Sequence, residues 1–347
     1  MLHSPDTPTP LRSSAPRPGD DPSREAARRK LLTVVTPAFN EEENVLLLYG
    51  RLVAVLEGLD VDWEWVVVDD HSSDNTFGVM SDLARRDRRV RAVRLARNSG
   101  SHTAIACGLH TARGDSAVLM AADLQDPPEL LPQLVARWRD GFQVVWAVRN
   151  KREGEKATRV GFSRLYYFLM RRVVGMKDMP ATGADFLLVD RRVRDAFCQF
   201  GESNVSVLAL VTWMGFRQTT LGYDKQARLH GRSGWSLEKK LKLAVDSVTS
   251  FTYLPIRAMS YVGIVLALLG FAYAALVATR ALLGYGVQGW ASLMVVVLVI
   301  GGAQMIMMGI LGEYLWRALD ESRRRPRFII EAVTPDPDPP RAERQEH

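Results

Sequence analysis

Between Ala258 and Trp316 the chain carries only two charged side chains, Arg280 and Glu313. Two consecutive uncharged spans of that length are rare in soluble cores. Within the stretch, Ala258–Thr279 and Trp290–Gly312 are each long enough, at ~1.5 Å per residue, to cross a hydrocarbon core of ~30 Å. The link between them holds Arg280 as its one basic residue, whereas Lys239, Lys240, Lys242 and Arg257 flank one side. Arg317, Arg323, Arg324, Arg325 and Arg327 flank the other. Positive charge is retained on the cytoplasmic side of a membrane, so both flanks, both termini and the polar part of the chain are expected in the cytoplasm. Residues 258–316 therefore predict a two-helix transmembrane hairpin in the cytoplasmic membrane.

The remainder reads as soluble protein. Residues 1–29, rich in Pro, Ser, Arg and Asp, predict a disordered tail without the apolar run of a signal peptide. Residues 317–347 predict a basic cytoplasmic segment ending in a second such tail. The net charge of +6 is concentrated beside the apolar region, where it suits a lipid bilayer with anionic headgroups or a phosphorylated lipid. No basic face interleaved with aromatics appears, which argues against nucleic acid as a partner. The two cysteines, Cys107 and Cys198, are far apart and form neither a metal-ligand pattern nor a disulfide framework.

From residue 30 to 235 strand and helix patterns alternate. Strands are predicted over Leu31–Pro37, Trp63–Asp69, Val90–Leu95, Ser116–Ala121, Val144–Val148 and Phe186–Asp190. Helices are predicted over Glu41–Leu59 with Asn40 as its cap, and over Asp74–Arg86, Gly100–Ala112, Glu129–Arg139, Thr158–Val174 and Arg191–Phe200. Lys151–Lys156 predicts a charged loop, and residues 236–257 an amphipathic juxtamembrane segment whose helix, Ser236–Phe251, lies along the membrane surface. Alternation of this kind gives an α/β fold with a mostly parallel sheet, and such sheets collect ligands at the carboxyl ends of their strands.

The unusual polar residues fall at those ends. The first strand runs into Asn40-Glu-Glu-Glu-Asn44, the second into Asp69-Asp-His-Ser-Ser-Asp74, and the fourth into Asp123-Leu-Gln-Asp126. Carboxylates and amides placed there can accept hydrogen bonds from a base and ribose, or hold a divalent cation against a pyrophosphate. One acidic turn would be ordinary turn chemistry, but three at successive strand ends are not.

TPAFNEEENV, VDDHSSDNT and ADLQDPPEL together resemble the family-2 glycosyltransferases. RLHGRSGW, SFTYLPIR and the paired apolar spans are similar to the polyprenyl-phosphate glycosyltransferases of the dolichol-phosphate mannose synthase-like branch, over roughly Leu31 to Arg327. The resemblance implies a Rossmann-like GT-A nucleotide-sugar domain. It also implies inverting transfer of a sugar, glucose from UDP-glucose first, to undecaprenyl phosphate at the cytoplasmic face. GDP-mannose, UDP-N-acetylglucosamine and UDP-amino sugars stay open as donors, as does an inactive scaffold that binds nucleotide-sugars or lipid.

Residue by residue, the resemblance assigns Pro37, Ala38, Asn40 and Glu42 to the nucleotide turn and Asp69 and Asp70 to base and ribose. It assigns Asp123 and Gln125 to Mg²⁺ or Mn²⁺ and the pyrophosphate, Arg149 to the donor phosphates, and Asp185 to the sugar. Arg228, Arg232 and Ser233 would receive the acceptor phosphate. Ala121 stands where many members have a first acidic residue, which thins the metal site. A Q-x-x-R-W motif of processive polysaccharide synthases is missing. Association of the membrane hairpin with copies of itself is a further expectation.

Overall fold

The computed structural model describes residues 29–150, 186–202, 206–224, 249, 252–283 and 289–334. The helix expected over Thr158–Val174, the loop Lys151–Lys156 and the surface helix Ser236–Phe251 lie outside the described residues, as do both expected tails.

Apolar β-branched runs build the centre. Strands β1 (Leu31–Ala38), β2 (Asp62–Asp69), β3 (Val90–Leu95) and β4 (Ser116–Leu119) are buried almost throughout. Continuous burial, without alternation, is what strands covered on both faces require. Helix α1 (Glu42–Leu56) follows β1, α2 (Thr76–Arg86) follows β2, and α3 (Ser101–Thr111) follows β3. A 3₁₀ turn, Pro128–Leu130, leads into α4 (Leu131–Arg139), and β5 (Val144–Arg149) comes next. The described chain continues with β6 (Phe186–Asp190), α5 (Arg191–Phe197), α6 (Val207–Trp213) and β7 (Gln218–Tyr223).

The strands form one sheet in the order β7-β5-β6-β4-β1-β2-β3-β8, where β8 is Ile330–Val333. Ladders β1–β2, β1–β4, β2–β3 and β5–β7 are parallel, as expected for a mostly parallel sheet. Strand β6 enters antiparallel between β4 and β5, and β8 is antiparallel on the β3 edge. Because β6 reverses twice, β5 still points the same way as β4, and all the parallel strands open onto one carboxyl edge.

Two helical layers cover the sheet. Leu48, Leu52 and Leu56 of α1, Met80 of α2, and Leu134 and Trp138 of α4 pack on one face, against Val34, Trp65, Val67 and Val118. On the other face Ile105 and Leu109 of α3, Phe197 of α5 and Leu210 of α6 pack against Val35, Val68, Leu119 and Trp146. Helix α3 comes very close to the sheet: a Cβ on Gly108 would overlap Val35 Cγ1. The small residues Ala104, Ala106, Cys107 and Gly108 in α3 suit that approach.

Several expectations are corrected. Asn40 does not cap α1. Glu41 holds that position without a side-chain cap, and Asn40 adopts a left-handed φ of 56° for another purpose. The helix expected to Leu59 stops at Leu56. Strand β7, helix α6 and strand β8 went unread: the two strands carry no long apolar run, and α6, VLALVTW, is a single short apolar segment between polar stretches. Ile330–Val333, assigned by sequence to the basic C-terminal segment, instead pairs with β3, and Thr334 N donates to Ala92 O at 3.0 Å.

Helices α7 (Leu254–Leu282) and α8 (Trp290–Ser322) stand apart from the sheet. Over Pro255–Arg280 and Leu293–Ser322 they are long and apolar enough to cross a membrane, and their apolar windows are not buried by protein. Leu268, Phe271, Met305 and Met308 point outward at 63–77% exposure, apolar surface of the kind that marks a membrane or protein interface. At the sheet-proximal end Tyr314 Oη donates to Thr252 O at 2.7 Å, and Arg317 pairs with Glu313 at 2.7 Å one turn back. The hairpin therefore leaves and re-enters the globular part at the same end: Leu254 starts α7, and β8 rejoins the sheet after α8.

The buried indole of Trp65 donates Nε1–H to Thr36 Oγ1 at 2.9 Å, linking β2 to β1. Thr36→Val preserves shape but leaves that donor unsatisfied, so it should cost about 1–3 kcal/mol. Thermal unfolding of the detergent-solubilised protein should show a lower midpoint with unchanged far-ultraviolet circular dichroism.

Candidate active site

In-register pairing brings three turns to one place. Ala38 lies opposite Asp69 across β1–β2, and Val35 opposite Leu119 across β1–β4. Two bonds carry the alignment past the strand ends: Asp70 N donates to Ala38 O at 2.9 Å, and Met120 N to Val35 O at 3.0 Å. Each of the three turns then contains one non-glycine residue in the left-handed region: Asn40 (φ 56°), His71 (φ 60°) and Leu124 (φ 58°). Such conformations cost energy and concentrate where backbone must be aimed.

The first two turns are laced together. Asn40 N donates to Ser72 Oγ at 2.9 Å, and Asn40 Oδ1 accepts from Ser73 N at 2.9 Å. Glu41 N donates to Thr76 Oγ1 at 2.9 Å, while Glu42 Oε2 accepts from Asn75 N at 2.9 Å. Asn40 and Glu42 thus hold the turns together, and Pro37 and Ala38 provide the strand end from which the first turn springs.

The acidic pair divides its work. Asp70 accepts from Ser99 N at 2.7 Å and Gly100 N at 2.8 Å, so both its oxygens anchor the start of α3. Burial pushes its carboxyl above the usual range, Ser99 N and Gly100 N oppose that shift, and neighbouring Asp69 adds to it. Asp69 is fully buried. Its Oδ1 accepts from Ser72 N at 3.0 Å, and its Oδ2 accepts no hydrogen bond among the described residues, with Arg94 Nε 3.6 Å away. A buried carboxylate oxygen with unused capacity at a strand end is suited to a ligand donor.

In the third turn Asp123 is 7% exposed, and its Oδ1 accepts from Gln125 N at 3.2 Å. Among the described residues no three His, Cys, Asp or Glu side chains converge to form a metal cage. The donors present, the Asp123 carboxylate and the Gln125 amide oxygen, are hard oxygen ligands. They would suit Mg²⁺ or Mn²⁺ held with few protein contacts and completed by phosphate oxygens and water.

A further residue of the third turn, given no role of its own by the sequence, is tied into the fold here. Asp126 is fully buried and accepts from Tyr223 Oη at 2.5 Å, bridging the third turn to the end of β7. Arg149, the β5 register partner of Tyr223, lies beside the phenol and draws its pKa down. Burial and the Asp126 charge outweigh that effect and hold the phenol protonated well above its usual range. An acidic residue just before Pro127-Pro128 was the available signal; its partner, 97 residues on, was not. Asp185, Arg228, Arg232 and Ser233 lie outside the described residues.

With this geometry in view, comparison with known proteins decides the family. The profile described as Glycosyl transferase family 2 matches residues 33–195. An uncharacterized glycosyltransferase of Synechocystis is 37% identical over 300 residues, covering 86% of this chain and 94% of that protein. The chain belongs to glycosyl transferase family 2.

This family-2 glycosyltransferase is also 32% identical to a bactoprenol glucosyl transferase of Shigella phage SfV, over 86% of this chain and 97% of that one. It is 35% identical to the undecaprenyl-phosphate 4-deoxy-4-formamido-L-arabinose transferase of Edwardsiella ictaluri, covering 88% and 94% respectively.

Tyr223→Phe removes the hydroxyl that donates to the buried Asp126 carboxylate and should lower stability by about 1–3 kcal/mol at neutral pH. The native phenol's pKa is raised, so its stabilisation is complete below pH ~10 and is lost above it, where the unfolded tyrosine ionises. The gap between wild type and Tyr223→Phe should therefore narrow between pH 9 and 11, as measured by unfolding midpoints on that pH series.

Proposed function

We propose that this glycosyltransferase moves a sugar, glucose from UDP-glucose, onto undecaprenyl phosphate at the cytoplasmic face of the membrane, with inversion at the anomeric carbon. The observation that carries the reading is the meeting of three carboxylate-bearing turns at one sheet edge, in a chain whose remaining length supplies two apolar helices. Relatives named for bactoprenol and undecaprenyl-phosphate transfer, matched over nearly their whole length, support the lipid acceptor. The 4-deoxy-4-formamido-L-arabinose transferase at 35% identity keeps a UDP-linked amino-sugar derivative as a second reading.

In this account Pro37, Ala38, Asn40 and Glu42 shape the turn that seats the nucleotide. Asp69 accepts from base or ribose, and Asp70 holds the neighbouring loop in place. Asp123 and Gln125 would hold Mg²⁺ or Mn²⁺, which neutralises the charge developing on the departing diphosphate. Arg149, backed by Tyr223 and Asp126, contacts the donor phosphates. Asp185 orients the sugar, and Arg228, Arg232 and Ser233 receive the acceptor phosphate, bidentate arginine contact being well matched to it. A lipid phosphate is already anionic at neutral pH, so it attacks directly without an obligatory general base. Alignment and charge stabilisation supply most of the rate.

Both basic flanks, and the globular domain with them, sit on the cytoplasmic side. The units proposed are the tail 1–29, the catalytic domain 30–235 completed by β8, the surface segment 236–257, the hairpin 258–316 and the C-terminal segment that follows.

The test is transfer of labelled sugar from a panel of UDP- and GDP-sugars to undecaprenyl phosphate by the purified full chain in detergent, with and without Mg²⁺ or Mn²⁺. A labelled lipid product from UDP-glucose is expected. Asp123→Ala should lower kcat at least ~100-fold. Full metal-dependent turnover by that variant would remove Asp123 from the mechanism, and nucleotide binding without product from any donor would favour a non-catalytic scaffold.

A further inference from the structure

We infer that Glu331, on the strand that follows the second apolar helix, is a positioning residue for the nucleotide turn, holding Arg94 partly away from Asp69. The inference rests on the reading of Asp69 as a nucleotide contact. Strand β8 is antiparallel to β3, with Ala332 opposite Arg94 and Ile330 opposite Leu95 across an irregularity in register. That irregularity leaves Glu331 beside the Arg94 and Leu95 positions, over the β2 turn. Its Oε2 is 3.2 Å from Arg94 Nε and 3.4 Å from His71 Nδ1. The same Arg94 Nε lies 3.6 Å from Asp69 Oδ2, and Arg94 Nη2 donates to Ser72 O at 3.4 Å.

One guanidinium is therefore shared between two carboxylates. One of them, Asp69, is fully buried with an oxygen that accepts no hydrogen bond among the described residues; the other is 48% exposed. Coulomb attraction is stronger towards the buried partner. Without Glu331 the guanidinium would close fully onto Asp69 Oδ2 and occupy the acceptor that a base or ribose needs. Glu331 supplies the counter-pull, and His71 Nδ1, also 3.1 Å from Leu95 O, fixes the turn on the other side of the same carboxylate. Residues beyond the membrane hairpin thus complete the donor site, and anchoring and donor binding share one strand. A charged residue on an edge strand also discourages pairing with other chains, but that role does not involve Arg94.

The experiment uses the full chain in detergent and measures UDP and GDP affinity by calorimetry, together with donor KM and kcat. Glu331→Gln should weaken nucleotide binding and raise donor KM about three- to tenfold, with kcat within about twofold, as for loss of one partly exposed charge contact. Glu331→Asp, which keeps the charge, should recover most of the loss. In an Arg94→Gln background Glu331→Gln should add nothing further. Unchanged affinity in Glu331→Gln, or an equal loss with Arg94 absent, overturns the inference; a variant that merely destabilises the strand would show the second pattern. Failure of the wild type to bind either nucleotide would instead defeat the functional reading on which it rests.

Discussion

The site depends on the in-register parallel pairing of β1 with β2 and β4. Ala38 opposite Asp69, and Val35 opposite Leu119, determine that three turns leave the sheet side by side. Side-chain period along a strand is two residues, so a one-residue slip would turn Asp69 to the opposite face and separate it from the first turn. The register is held by burial on both faces, by Trp65 bonded to Thr36 across the ladder, and by the lacing of Asn40, Glu41 and Glu42 to Ser72, Ser73, Asn75 and Thr76.

The central strands were legible because both their faces are buried. Val34, Val35, Val66, Val67 and Val68 write an apolar run that needs no partner to be recognised. The strands that were missed are half-exposed: Gln218–Tyr223 is mostly solvent-accessible, and Ile330–Val333 lies on the outer edge. Their pairing comes from neighbours distant in sequence, which composition does not record. Asn40 shows the same limit at one residue. Its type suits a helix cap, but the opposing turn claims its side chain and its left-handed backbone places it outside the helix.

The site divides along similar lines. Carboxylates at strand ends were visible as a pattern, and the structure gathers Asp69, Asp70 and Asp123 at one edge. Their separate duties were not visible. Asp70 is occupied by two backbone N–H groups, whereas Asp69 keeps a buried oxygen with capacity to spare. Asp126, Tyr223, Arg94 and Glu331 gain their meaning only from contacts across the fold. The last of these lies on β8, the strand that follows the second apolar helix, so the apolar helices are bracketed by strands of one sheet.

Hydrogen–deuterium exchange on the full chain in detergent, with and without UDP, tests most directly whether the donor sits at this carboxyl edge. The account predicts slowed exchange in the three turns, residues 38–42, 69–76 and 122–126, with the helical layers on either face unchanged. Protection confined to another surface, with those three turns unaffected by a nucleotide that binds, would contradict it.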